Sequence, residues 1–194
     1  MTSQDAAQRI LDFLKETESM KSHVRSAWTA TGREESVAAH SWRLCMLAMA
    51  IGPHLDGIDS DRLIRICLVH DLGEAFSGDT PAPLQDDSED KQATERATVE
   101  SICSVLGTEG ETLLELWREY DEGATPEAVA AKALDKIETI AQHNQGVNPD
   151  DFDYGFNIDY GRDIPLTGEV MRALRELVDR ETATLASRTD PTEW

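Results

Sequence analysis

The chain has 194 residues, with 38 acidic against 18 basic side chains and a formal net charge of −20. That length fits one domain with its own core, and a hydrophobic content of 40% is too high for a disordered chain. So negative a surface repels nucleic acid polymers and anionic membrane, and the longest apolar run, Leu44 to Ile51, is far short of the roughly 18 residues that span a bilayer.

The first five residues carry no basic flank and no apolar stretch follows them, so the sequence is read as lacking a signal peptide. Cys45, Cys67 and Cys103 are an odd number of thiols set among apolar neighbours, with no CxxC. Buried free thiols point to a reducing compartment, and the expected location is the cytoplasm.

Ala6, Ala7, Ile10, Leu11 and Leu14 recur at helical spacing, which predicts a first helix over 4–19. Ser36 caps a second helix through Val37, His40, Leu44, Leu47, Ala48 and Ile51, and Gly52-Pro53 stops it. A third starts at Asp59 or Ser60, carries Leu63, Ile64, Cys67 and Leu68, and runs into His70-Asp71. Gly73, Gly78 and Pro81-Ala82-Pro83 break the pattern into turns, and 85–90 reads as a surface loop. Further helices run through Ala93 to Leu106, closed by Gly107, and through Leu113 to Tyr120, closed by Gly123. Thr125-Pro126 opens another, with Val129, Ala133, Ile137 and Ile140. Residues 146–166 are irregular, and Thr167 opens a last helix with Val170, Met171, Leu174, Leu177 and Val178. No segment alternates with period two. The expected fold is all-α, a single domain of about seven helices over 1–194.

Three of these helices hold residues that suit a metal. His70-Asp71 ends an apolar helix, where charged groups are costly unless paired or ligated. His40 sits mid-helix among Ala38, Ala39 and Leu44, and Asp135 lies between Leu134 and Ile137. Each alone reads as a satisfied core residue. Together, two imidazoles and two carboxylates suit a divalent transition ion, and helix-borne ligands converge inside bundles.

The pattern resembles the HD superfamily of metal-dependent phosphohydrolases, whose signature H…HD…D stands here as His40, His70-Asp71 and Asp135. The resemblance covers roughly residues 10–145. It is nearest to the small 5′-deoxynucleotidases, through Glu35-Ser36-Val37 before the first His and His70-Asp71-x-x-Glu74-x-x-x-Gly78-Asp79-x-Pro81. Where that subgroup carries an acidic residue just before the first His, this chain has Ala39. The resemblance implies an HD-domain fold, a homodimer, and one divalent ion (Mn, Co, Fe or Zn, with Mg also open) held by His40, His70, Asp71 and Asp135. It also implies a catalytic carboxylate at Glu74 that orients or deprotonates the attacking water. Asp79 either protonates the leaving alkoxide or takes the place of Glu74.

Trp28 is the candidate to stack on a nucleobase, and Arg25 the candidate to meet a phosphate. Lys136 is expected to point away from Asp135. Glu138, Thr139 and Gln142 share the face of Asp135, while His23, His54 and His143 are read as ordinary. No motif stands out in 146–194. The expected function is removal of the 5′-phosphate from deoxynucleoside monophosphates. The alternatives are a similar enzyme for another small phosphomonoester or a nucleoside di- or triphosphate, or a non-catalytic helical regulatory module.

Overall fold

A computed structural model describes residues 2–76 and 89–189 of the chain. Among the described residues there are eight α-helices: α1 Ser3–Glu16, α2 Val37–Ile51, α3 Ser60–Val69, α4 Glu89–Ser104, α5 Thr108–Glu122, α6 Pro126–Gln145, α7 Phe156–Asp159 and α8 Gly168–Thr189. None is long and apolar enough to cross a membrane. The helical fold expected from the periodicity is present, with one more helix in 146–166 than the sequence announced.

The first helix is shorter than its apolar spacing implied. It stops at Glu16, and residues Thr17–Lys21 tighten into a 3-10 turn that buries Met20. A second difference lies between them and α2. Strand β1, Val24–Trp28, pairs antiparallel with β2, Glu34–Ser36, in a small two-stranded sheet. The alternation that marks a strand cannot be read over the three residues of β2, and the register is irregular between Val24 and Trp28.

This hairpin sets the entry to α2. Ser36 ends β2 and is also the cap of the helix, accepting from Ala39 N at 3.2 Å. Val37 N donates to the His23 carbonyl at 2.9 Å. His40 therefore falls in the first turn of α2, directly behind the sheet. The hairpin is also tied to the end of α6, where Gln142 Nε2 donates to the Trp28 carbonyl at 2.6 Å. Gly146 makes that approach possible, since a Cβ there would stand 2.2 Å from the same carbonyl oxygen.

Helix α6 is the axis of the fold. Thr125 caps it, accepting from Ala128 N at 3.1 Å, and Pro126 fills its first position. It packs against α2, α3, α5, α8 and β1. Small side chains at Ala128, Ala130, Ala131 and Ala133 are buried and let the neighbours approach closely. Leu44, Leu63, Ile66, Leu134, Ile137 and Ile140 fill the space between α2, α3 and α6; each contributes roughly 1.5–3 kcal/mol by leaving water. That apolar packing fixes three helices whose adjacent ends carry the polar residues described next.

Candidate metal centre

His40 reaches inward from the first turn of α2, and its ring is fully buried. His70 caps the C-terminus of α3, and Asp71 follows it as the backbone leaves the helix, at φ −95° and ψ 12°. Two adjacent side chains in a regular helix point about 100° apart. The break after His70 lets both face one point. Asp135 comes from the middle of α6 and is 5% exposed.

The four side chains converge. His40 Nε2 lies 3.1 Å from Asp135 Oδ1 and 3.8 Å from Asp71 Oδ2. His70 Nε2 lies 3.0 Å from Asp71 Oδ1 and 4.0 Å from Asp135 Oδ1. The two rings stand edge to face with centroids 5.3 Å apart. Ligands about 2.1 Å from a common ion stand roughly 3–3.5 Å from one another, so this spacing suits a single cation.

The remaining ring nitrogens are fixed from behind. His40 Nδ1 is 2.5 Å from Glu138 Oε2, and His70 Nδ1 is 2.9 Å from the Cys67 carbonyl oxygen. A carbonyl can only accept, so His70 carries its proton on Nδ1, and a carboxylate asks the same of His40. In the neutral rings both Nε2 lone pairs are thereby left to a cation held between them and the carboxylates. These two Nε2 atoms are buried, and as neutral imidazoles they have no donor to meet, so a proton or a cation must lie between them and the carboxylates. The residues fit a divalent ion.

The electrostatics agree. Burial and Arg25 push the pKa of His40 down, yet Asp135 and Glu138 outweigh them and hold it up at about 9. Burial favours a neutral Asp135, but Lys136 and His40 keep its carboxyl well below the usual range. Asp71 is lowered against burial by His70 and His40. The pocket's own charge therefore attracts a cation.

Around these four residues lies a polar layer that runs from the buried interior out to the surface. Glu138 Oε1 is 3.4 Å from Arg43 Nε, and Arg43 also donates to Gln142 and, at 2.7 Å, to Gln145. Arg25 approaches Glu35 Oε2 at 3.5 Å and donates to Thr139 Oγ1 at 3.0 Å. Burial, with the charge of Glu138, raises the Glu35 carboxyl. On the other side, Tyr120 Oη donates to Asp135 Oδ2 at 3.2 Å.

Other predicted residues take these positions. Glu74 lies in the 3-10 turn Leu72–Ala75, half-buried, its N–H on the Asp71 carbonyl at 3.0 Å. Asp79 lies outside the described residues. Trp28 ends β1 with its ring 6.1 Å from Phe152, edge to face. Arg25 is largely buried beside Glu35 and Thr139, on the His40 side. Lys136 does not point away: its Nζ lies 3.0 Å from Asp135 Oδ2, because its long stem curls back along the helix. His143 is half-buried and pairs with Asn157 Oδ1 at 2.9 Å. Tyr120 was missed as a neighbour of Asp135. The only signal for Tyr120 was a polar-tipped aromatic on the buried stripe of α5.

Comparison with known proteins agrees with this geometry. Residues 17–175 match the model of a family described as the HD domain. The chain is 36% identical over 141 residues to the 5′-deoxynucleotidase HDDC2 of Dictyostelium discoideum, covering 68% of this chain and 74% of that protein. It is 32% identical over 142 residues to the human protein of that name, covering 72% of this chain and 69% of the relative. The 5′-deoxynucleotidase hdd1 of Schizosaccharomyces pombe is 33% identical over 140 residues, covering 69% and 70%. Among solved structures, the fold matches that of a predicted metal-dependent phosphohydrolase from Magnetospirillum magnetotacticum MS-1, with a TM-score of 0.78 at 22% identity over 97% of this chain and 96% of that one. The ligand geometry, the matched residues and these relatives agree: the chain belongs to the HD-domain family.

Proposed function

We propose that this protein is a metal-dependent phosphomonoesterase that removes the 5′-phosphate from deoxynucleoside monophosphates. The observation that carries the reading is the convergence of two buried imidazole nitrogens on two carboxylates, in a chain whose relatives are named 5′-deoxynucleotidases. His40, His70, Asp71 and Asp135 hold the ion. When bound, a divalent cation there neutralises phosphate charge, which so acidic a chain otherwise repels, and lowers the pKa of a coordinated water.

The protein's own groups do the rest. Glu138 and the Cys67 carbonyl fix the ring tautomers. Glu74, next to Asp71 on the same turn, orients the attacking water or takes its proton. Asp79 gives a proton to the departing deoxyribose oxygen, or exchanges roles with Glu74. Water adds to phosphorus and the P–O5′ bond breaks, leaving a deoxynucleoside and inorganic phosphate. Trp28 stacks on the base. Arg25 attracts the phosphate from the His40 side, held by Glu35 and Thr139. Free thiols at Cys45, Cys67 and Cys103 support a cytoplasmic location.

The test is a panel of substrates on the metal-loaded protein, with released phosphate as the readout. It contains deoxynucleoside and ribonucleoside monophosphates, a nucleoside triphosphate and a simple aryl phosphate. The expected result is turnover of deoxynucleoside monophosphates well above the rest. Preference for the triphosphate, or equal turnover of every phosphomonoester, moves the substrate class. Trp28→Ala is expected to raise the Michaelis constant for a deoxynucleoside monophosphate by about 5- to 150-fold, the worth of one stacked base, and to leave the aryl phosphate unchanged. Equal losses on both substrates with a lowered melting temperature make Trp28 a packing residue.

A further inference from the structure

The four ligands do not explain what fixes the plane of the Asp135 carboxylate, with one oxygen toward the imidazoles and the other away from them. We propose that the C-terminal segment sets this: Tyr160 and Gly161 clamp Lys136 against Asp135, so that the ammonium holds one carboxylate oxygen and turns the other toward His40 and His70. The proposal rests on the reading of these residues as a metal centre.

The two oxygens of Asp135 have different company. Oδ1 lies 3.1 Å from His40 Nε2 and 4.0 Å from His70 Nε2. Oδ2 lies 3.0 Å from Lys136 Nζ and 3.2 Å from Tyr120 Oη. Rotation about the Cβ–Cγ bond tilts the carboxylate plane and breaks these contacts, so the partners of Oδ2 hold the plane in place. Lys136 is the less obvious partner, since it follows Asp135 directly in α6. Neighbours in a helix diverge by about 100°, so its stem must bend back. A lysine stem is flexible, and holding it in one bent form needs a wall.

Residues 160 and 161 are that wall. The Tyr160 ring lies under the ammonium, its centroid 4.9 Å from Nζ. The backbone of Gly161 presses on the stem. A Cβ at that position would stand 2.6 Å from Lys136 Cγ and 2.7 Å from its Cβ, and the residue has φ +70°, which disfavours any side chain. Gly161 is thus a point of close approach, not merely a turn.

The wall is fixed in turn by α8. Arg175 is 5% exposed. It donates to the Tyr160 carbonyl at 2.8 Å and to Asp179 Oδ1 at 2.7 Å. Burying a guanidinium is costly unless it is fully paired, and one of its partners here is the backbone of the clamp itself. A continuous line of contacts runs from α8 through Arg175, Tyr160 and Lys136 to Asp135. It gives residues 146–189, which carry no motif, a part in the site. Lys136 and Tyr160 are positioning residues: they act through Asp135.

The test measures cobalt(II) binding to the full chain by competition with a chromophoric chelator, together with the visible spectrum of the bound ion and the melting temperature. Tyr160→Ala and Lys136→Met are each expected to weaken cobalt binding by about 10- to 100-fold, the usual effect of losing a group that orients a ligand, and to alter the spectrum. Tyr160→Phe keeps the ring but loses the hydroxyl that also meets the ammonium, and is expected to bind cobalt between the wild type and Tyr160→Ala. Unchanged affinity and spectrum in Lys136→Met overturn the proposal, whatever happens to the stability of Tyr160→Ala. So does weakened binding in Tyr160→Ala alone, since the ring then acts by another route. A wild-type chain that binds no cobalt overturns the metal centre, and this proposal with it.

Discussion

His40 and His70 offer the same ring atom to the same two carboxylates, but they are backed by different material. Behind His40 stands a charged chain of side chains: Glu138 at 2.5 Å, then Arg43, with Glu35 and Arg25 beside them. Behind His70 stands one backbone carbonyl, that of Cys67 three residues earlier, at 2.9 Å. The first arrangement assembles groups from β1, β2, α2 and α6, and any one of them can be lost to mutation. The second is supplied by helix geometry at the end of α3, and no substitution of a side chain removes it. The His40 half of the site is tunable and fragile. The His70 half comes with the fold.

The largest effect comes from removing what both halves share. Asp71→Ala and Asp135→Ala each take away a carboxylate that lies within 4.0 Å of both Nε2 atoms. Each variant is expected to lose its metal, by elemental analysis, and its phosphatase activity. Full occupancy and full turnover in Asp71→Ala are incompatible with the site described here.

Glu74 belongs to the His70 half, on the turn that follows Asp71. Glu74→Ala is expected to keep its metal and substrate affinity while turnover falls at least about 100-fold, the scale of general acid–base catalysis. Unchanged turnover transfers the water-activating role to Asp79.

A smaller effect sharpens the contrast directly. Glu138→Ala removes the acceptor behind His40 and is expected to weaken metal affinity by about 10- to 100-fold. Cys67→Ala keeps the carbonyl behind His70 and is expected to leave metal affinity unchanged, while losing about 1 kcal/mol of stability from the vacated core position. Chelator competition and thermal melting on both variants separate the two outcomes. Equal losses of affinity erase the distinction between the halves.

This asymmetry also shows what a sequence reveals. The convergence of the proposed ligands was legible because His40 and Asp135 interrupt the apolar stripes of α2 and α6. His70-Asp71 was legible as a helix end. The layer behind His40 was only partly so: Glu138, Thr139 and Gln142 fall on the face of Asp135, but nothing in their spacing tells which one meets His40. The burial of Arg25 depends on a hairpin with a three-residue strand, too short for period two to register. Lys136 shows the limit of helical-wheel reasoning. The wheel places Cα–Cβ directions, and a four-carbon stem bent by Tyr160 and Gly161 ends on the side the wheel forbids. Contacts from an irregular segment to a helix more than twenty residues away leave no periodic trace.

The last predicted effect is one of pH, in protein stripped of metal by a chelator. The His40 pKa is about 9 in the folded chain against 6.5 for a free imidazole; burial and Arg25 lower it, and Asp135 and Glu138 more than restore it. A raised pKa means that the folded state binds the proton more tightly than the unfolded one. The resulting stability is fully present below pH 6.5 and is lost as pH climbs through about 9. The melting temperature of the stripped protein is therefore expected to fall across that window. His143 has the opposite sign: burial lowers its pKa below 6.5, so its contribution rises with pH, but only below 6.5. With a divalent ion bound, His40 donates its Nε2 lone pair and stays neutral throughout, so the fall is expected to vanish. Glu138→Gln removes one of the two charges that raise the pKa and is expected to shallow the fall in the stripped protein. Melting curves from pH 6 to 10, with and without metal, on wild type and Glu138→Gln give the comparison. A stripped protein whose melting temperature is flat or rising over this range means that the charge behind His40 does not act on it, and the two histidines are then held alike.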